Sequence, residues 1–230
     1  MKIYLSPSMQ RANLYAAGGT TEMHQCSRIA ESAERALLRN GFEVLRAPMG
    51  QSAEDNVAQS NNWGADFHIP IHTNAGGGRG CVLFISSLDG VKYDFARSIF
   101  REIDAVTLYP SVYGVRARSF YETVSTRAPC LYVECEFHDS CELAEWIIDN
   151  TSTLGEAICR GICIAAGREY IAEESMERWK NIEDVPEGYR AVARRFIDSG
   201  ALKGKSDGSL DITEDMLRVM EILRRYFEEE

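Results

Sequence analysis

The sequence predicts an α/β fold: a twisted mixed central sheet flanked by helices, followed by a small α-helical C-terminal domain. Three observations carry that expectation. Short β-like runs alternate with longer helical patterns over about the first 165 residues. After Tyr170 the texture changes to shorter, charged elements. The composition, 45% hydrophobic and 26% charged, is that of a globular chain rather than a disordered or fibrous one.

Taken in order, the expected strands are Lys2 to Leu5, Glu43 to Ala47, Asp66 to Ile71, Gly80 to Ile85, Val112 to Arg116 and Leu131 to Glu136. The clearest helix runs from Glu22 to Arg39. Thr20 and Thr21 offer caps, Ile29, Ala33, Ala36 and Leu37 recur at helical spacing, and Gly41 ends it. Two more helices are expected over Tyr93 to Val106 and Cys141 to Ala166. Residues 1–170 then form the first domain, 171–180 a linker helix, and 181–230 a small helical module. Within that module the sequence predicts a helix over Tyr189 to Asp198, a turn from Gly200 to Gly208, and a helix from Thr213 to Phe227, opened by Glu214 and Asp215.

A chain of 230 residues buries enough apolar surface to fold without metal or disulfides. Its net charge of -10 and lack of a basic block argue against a nucleic-acid partner. The amino terminus lacks the apolar stretch of a signal peptide, and no segment approaches the ~20 apolar residues of a membrane span. The expectation is a protein cytoplasmic on synthesis, with no membrane insertion. The seven cysteines have no CxxC spacing and sit mostly in apolar runs, which reads as buried thiols.

Two places in the first domain are chemically conspicuous. His72, in Ile71-His72-Thr73-Asn74, ends a strand beside Gly76-Gly77-Gly78, where open α/β sheets present ligands and catalytic groups. His68 shares its face, but four residues of strand separate the two backbones by about 13 Å. That is too far for one zinc, and His68 reads as a structural or second-site residue. The second place is Tyr132-Val133-Glu134-Cys135-Glu136. Carboxylates in an apolar strand are costly unless paired or metal-bound, and spacing alone does not choose between Glu134 and Glu136. Glu22 lies in the first turn of a helix, where a carboxylate is favourable in any case.

Ser6-Pro7-Ser8-Met9-Gln10 after the first strand, Thr21-Glu22, Ile71-His72-Thr73-Asn74-Ala75 and Tyr132 through Asp139, in this order, resemble the zinc-dependent N-acetylmuramoyl-L-alanine amidases, in the branch whose first strand ends in SPSxQ. The resemblance spans residues 1 to 167 or so. It implies a Zn2+ cofactor, peptidoglycan as substrate, His72 and Glu22 as metal ligands, Glu134 as the catalytic glutamate and Asn74 as a substrate contact. Where many relatives carry a third ligand, a histidine in Asp-Pro-Gly-His, this chain has Ser6-Pro7-Ser8-Met9. Gln10 is the substitute taken here, with His24 or water as the alternatives. The region beyond Trp179 resembles the module appended to phage and prophage amidases, which implies wall binding or homodimerisation. The expected function is that of an endolysin acting on the cell wall after release. The rival expectations are a catalytically weak peptidoglycan-binding protein and, more weakly, a cysteine hydrolase through Cys135.

Overall fold

Successive side chains of a strand point to opposite faces of its sheet, and the strands of this protein use their two faces differently. In β1 (Lys2–Pro7) and β3 (Phe67–Asn74), Ile3, Leu5, Ile69 and Ile71 turn to one face and are fully buried. Tyr4, Ser6, His68 and His72 turn to the other, with Tyr4 paired to His68 and Ser6 to Pro70 in parallel register. β6 (Tyr132–Phe137) continues the division: Val133 pairs with Ile71 on the apolar side, and Glu134 pairs with His72 on the polar side.

The structure is a computed structural model that describes residues 1–173, 178–205 and 209–228. The chain divides into two units, Met1–Glu173 and Glu174–Glu230. In the first, β2 (Glu43–Arg46), β4 (Val82–Ile85) and β5 (Gly114–Ala117) complete a six-stranded sheet in the order β2-β1-β3-β6-β4-β5. The β4–β6 pair is antiparallel and the other neighbours are parallel, so the sheet is mixed, as the sequence predicts.

Helices α1 (Glu22–Arg39), α3 (Gly90–Asp104) and α6 (Thr151–Ala165) pack on the apolar face and form the main core with it. Two glycines let α6 come close: a Cβ at Gly155 would meet Ser32 at 2.5 Å, and one at Gly161 would meet the Ile99 backbone at 2.5 Å. The predicted helix Cys141 to Ala166 is in fact two, α5 (Cys141–Asp149) and α6, because Asn150 leaves helical geometry at φ -115° and ψ 20°. Helices α2 (Ala53–Trp63) and α4 (Tyr121–Ser125) fall between expected strands, where the sequence predicts helices without bounds. Both are polar and short on apolar periodicity, and they contact each other, α2 also touching β1. Among the described residues, no helix is long and apolar enough to cross a membrane.

The second unit has its own core of Trp179, Val185, Val192, Ala193, Ile212, Leu217 and Met220. Its helices are α7 (Glu187–Asp198) and α8 (Glu214–Glu228). The expectation of a linker helix over 171–180 is corrected: 171–173 are irregular, and β7 (Arg178–Trp179) pairs antiparallel with β8 (Ile212–Thr213). Burial of Trp179 and Ile212 in the small core draws the chain into this ladder, and two-residue strands carry no periodicity to read. The rest of that expected helix, 174–177, and residues 206–208 of the expected turn lie outside the described residues.

Candidate active site

The connection β1–α1–β2 leaves β1 on one side, and β3 returns on its other side, so the strand order reverses next to β1. Open α/β sheets bind ligands outside the carboxyl ends of strands at such a switch point. Three segments meet there: the loop after β1, the first turn of α1, and the end of β3. Their junction is stitched by backbone bonds from Ser8 N–H to Ile71 O (2.9 Å) and from Glu22 N–H to Asn13 O (2.9 Å). Tyr15, from the same loop, bonds through its hydroxyl to Thr73 Oγ1 (2.9 Å) and stacks on His138.

Glu22 and His72 are both buried and joined, with His72 Nδ1 2.7 Å from Glu22 Oε1. Asn13 Nδ2 donates to Glu22 Oε2 at 2.7 Å and to Gln10 Oε1 at 2.6 Å, so one amide links Gln10 to the pair. Burial pushes the Glu22 pKa up, but the His72 bond and charge, with help from Asn13 and Ser8, hold it below the usual carboxylate value. Burial works against a charged His72, and the bond to Glu22 and the field of Glu134 overcome it, raising its pKa. A cation and an anion are thus favoured together at one buried point. The His72 ring is braced by stacking on Tyr132, 4.5 Å between centroids.

Glu134 lies opposite His72 across the β3–β6 ladder. The residue is half-buried, but its Oε2 is sealed from solvent and has no hydrogen-bond partner. Desolvation raises its pKa to about 7, with His72 and Arg118 working against the rise and Glu22 adding to it. Glu136, two residues on, is fully buried, and its Oε1 accepts the N–H groups of Gly80 and Phe137. Each carboxylate leaves its Oε2 buried without a partner, but they differ in setting: Glu136 anchors the turn into β4 through Oε1, whereas Glu134 lies opposite His72, in the field of the Glu22–His72 pair.

A cleft of about 320 Å³ opens beside His72, lined among others by Ser6, Gln10, Asn56, Phe120, Glu122 and Tyr132. Its floor is a buried polar network that the sequence did not announce. Ser6 Oγ donates to Glu122 Oε1 at 2.5 Å, His68 Nε2 lies 3.1 Å from the same oxygen, and Asn56 Nδ2 donates to Ser6 Oγ at 2.8 Å. Ser6 and His68 share the face of His72 by strand alternation, a signal available in the sequence. Glu122 arrives from α4, more than 100 positions away in sequence from Ser6, and had no local signal.

The expected site residues come together unequally. Glu22, His72 and Glu134 converge, and Gln10 is tied to them through Asn13. Asn74 sits at the end of β3 outside the cleft lining, its Oδ1 accepting Ala75 N–H at 2.9 Å. His68 is structural as expected, stacked on Tyr4. His24 is exposed on α1. Cys135 lies fully buried on the apolar face, where burial pushes its thiol pKa up, which removes it as a nucleophile. Among the described residues, no three His, Cys, Asp or Glu side chains form a group suited to a metal ion.

Residues 10–163, most of the first unit, match the Amidase_3 family of N-acetylmuramoyl-L-alanine amidases. The chain belongs to that family. Two curated relatives are each 25% identical to it: the N-acetylmuramoyl-L-alanine amidase CwlM of Bacillus licheniformis, over 167 residues, and the sporulation-specific N-acetylmuramoyl-L-alanine amidase of Bacillus subtilis, over 169. Each alignment covers 70% of this chain and 65% of the relative. Among solved structures, the amidase AmiC2 of Nostoc punctiforme superposes with a TM-score of 0.66 at 17% identity, over 73% of this chain and 98% of that one. At that identity the likeness speaks for the fold alone, and the family match over residues 10–163 holds Glu22, His72 and Glu134.

Proposed function

We propose that this chain is a zinc-dependent peptidoglycan hydrolase that cleaves the amide between N-acetylmuramic acid and L-alanine. The observation that carries the reading is the buried Glu22–His72 pair with Glu134, whose Oε2 is unpartnered, opposite His72 on the adjoining strand. A carboxylate and an imidazole nitrogen held at 2.7 Å are two donors of the kinds zinc takes, and Gln10 Oε1, linked to Glu22 by the Asn13 amide, supplies a third, neutral oxygen. Glu22, His72 and Gln10 would hold the metal.

A bound zinc supplies Lewis-acid polarisation of a carbonyl and a lowered pKa for attacking water. The remaining steps belong to the protein. Glu134 Oε2 takes a proton from the attacking water and returns it to the departing nitrogen of L-alanine, a task for which a pKa of about 7 is well matched. Tyr132 keeps the His72 ring in plane by stacking, and Asn13 keeps the Glu22 carboxylate from rotating. Asn74, at the strand end, would contact the substrate. By the same reading the SPSxQ chain is an endolysin that reaches the wall after release, and residues 181–230 bind wall or join two copies.

Glu134→Gln tests the assignment. The variant is expected to fold and to bind about one zinc per chain while releasing no free L-alanine amino termini from purified wall, and retained turnover would sink it. The rival, a peptidoglycan-binding protein without hydrolysis, rests on the absence of a three-member His, Cys, Asp or Glu group among the described residues. Wild-type protein that sediments with wall but holds no zinc and releases no amines would establish the rival instead.

A further inference from the structure

Glu122 has two oxygens with different fates. Ser6 Oγ and His68 Nε2 both bond to Oε1, and no hydrogen-bond donor among the described residues reaches Oε2. That Oε2 is nevertheless not sealed in the interior as Glu134 Oε2 is, and Glu122 lines the cleft beside His72. The carboxylate is therefore clamped by one oxygen and presents the other to whatever enters. Glu122 contributes a negative field at His72 and Tyr132, its neighbours along the cleft.

The register places the residues that hold Glu122 on the strands that carry the reaction point: Ser6 pairs with Pro70, two residues before His72 on β3, and Glu122 lines the same cleft as His72. A stem peptide that leaves the scissile amide in extended form along that cleft presents next the carboxyl group on Cα of its second residue. In peptidoglycan that group is either a free α-carboxylate, as in D-glutamate, or a carboxamide, as in D-isoglutamine. An acceptor-only oxygen rewards an N–H donor and is repelled by a second carboxylate, so a site built this way discriminates by leaving its buried acceptor unpaired with the wrong partner.

We propose that Glu122 is a specificity-determining residue that selects stem peptides carrying a carboxamide, rather than a carboxylate, on their second residue. This rests on the amidase reading for the direction of the peptide, but its readout does not require turnover. The test uses the full chain with two matched ligands, N-acetylmuramoyl-L-alanyl-D-isoglutamine and N-acetylmuramoyl-L-alanyl-D-glutamate, measured both for binding by calorimetry and for release of the dipeptide. Neither ligand carries an ammonium on a third residue, so the comparison reads the second residue alone.

The wild type is expected to bind the carboxamide about 10-fold or more tightly, with kcat/KM following the same order. Glu122→Gln keeps an acceptor for Ser6 and His68 and turns the cleft-facing oxygen into an N–H donor, so the ratio should fall to about one or invert. Equal binding by the wild type, or a ratio unchanged in Glu122→Gln, overturns the proposal. Carboxamide-selective binding without cleavage of either ligand would support the subsite while overturning the amidase reading. Cleavage of both at equal rates and affinities would do the reverse.

Discussion

On the helix-packed face of the central sheet, Ile69, Ile71, Val133 and Cys135 are fully buried among α1, α3 and α6. On the opposite face the same strands bury His68 and His72 and carry Glu134, with Glu122 and Ser6 closing over them. The first face gains stability from every side chain it removes from water, by about 1.5–3 kcal/mol for a fully buried aliphatic. The second holds groups whose burial is costly and is only partly offset by their hydrogen bonds. Glu134 and Glu136 each leave an oxygen unsatisfied in the interior. A strand that alternates between these tasks residue by residue couples them, because the apolar side chains fix the backbone that aims the polar ones.

The comparison breaks most visibly at His72. His72→Ala removes a proposed metal ligand and leaves Glu22 buried without its partner. Loss of zinc by elemental analysis is expected, together with a stability loss of about 3–5 kcal/mol in denaturant unfolding. Next is Leu83→Ala on the apolar face of β4, expected to cost about 2–5 kcal/mol and lower the melting temperature while zinc content stays unchanged. A Leu83 variant that lost zinc in the folded state would show that the faces are not separable.

The third test reads the cost of the polar face by pH. The Glu134 pKa is raised on folding from its ordinary 4.5 to about 7, so the folded state holds its proton longer than the unfolded state. Below pH 4.5 both states are protonated and nothing is lost. As pH rises toward 7 the unfolded state alone ionises, and stability falls until the folded carboxyl ionises too. Metal-free Glu134→Gln should therefore gain about 3 kcal/mol over wild type at pH 8 and almost nothing at pH 4. An equal gain at both pH values would assign the effect to shape rather than charge. The smallest effect concerns the helix that covers the polar face: Ser52 accepts Asp55 N–H at 3.1 Å as the cap of α2, and Ser52→Ala should cost about 1 kcal/mol in melting experiments.

Much of the first unit was legible along the chain. All six strands of its sheet overlap their expected positions, and α1 matches residue for residue, because Thr21, the Ile29–Leu37 stripe and Gly41 are local signals that agree with the packing. Helix α2 could not be bounded from the sequence because its buried residues, Asn56, Val57 and Ser60, make no apolar stripe; it is held by polar contacts to β1 such as Asn56 to Ser6. In the site, His72 was legible from its place at a strand end. Glu122 was not, since a glutamate in a five-residue helix looks like any surface charge until Ser6 and His68 are brought to it.

By itself, the sequence determined the α/β alternation, the face on which each strand residue would lie, and the candidacy of His72 and the Glu134/Glu136 couple, while Glu22 entered only through the family resemblance. The former follow from periodicity, from position at a strand end and from the cost of placing charge in apolar runs, all local properties. Only the tertiary structure decided that Glu22 and His72 touch, that Glu136 Oε1 is held by Gly80 and Phe137 while Glu134 accepts no such bonds among the described residues, and that Glu122 floors the cleft. The reason is that hydrogen-bond satisfaction depends on which distant segments the sheet order brings together, and strand order is set by packing across the whole unit rather than by any one stretch of residues.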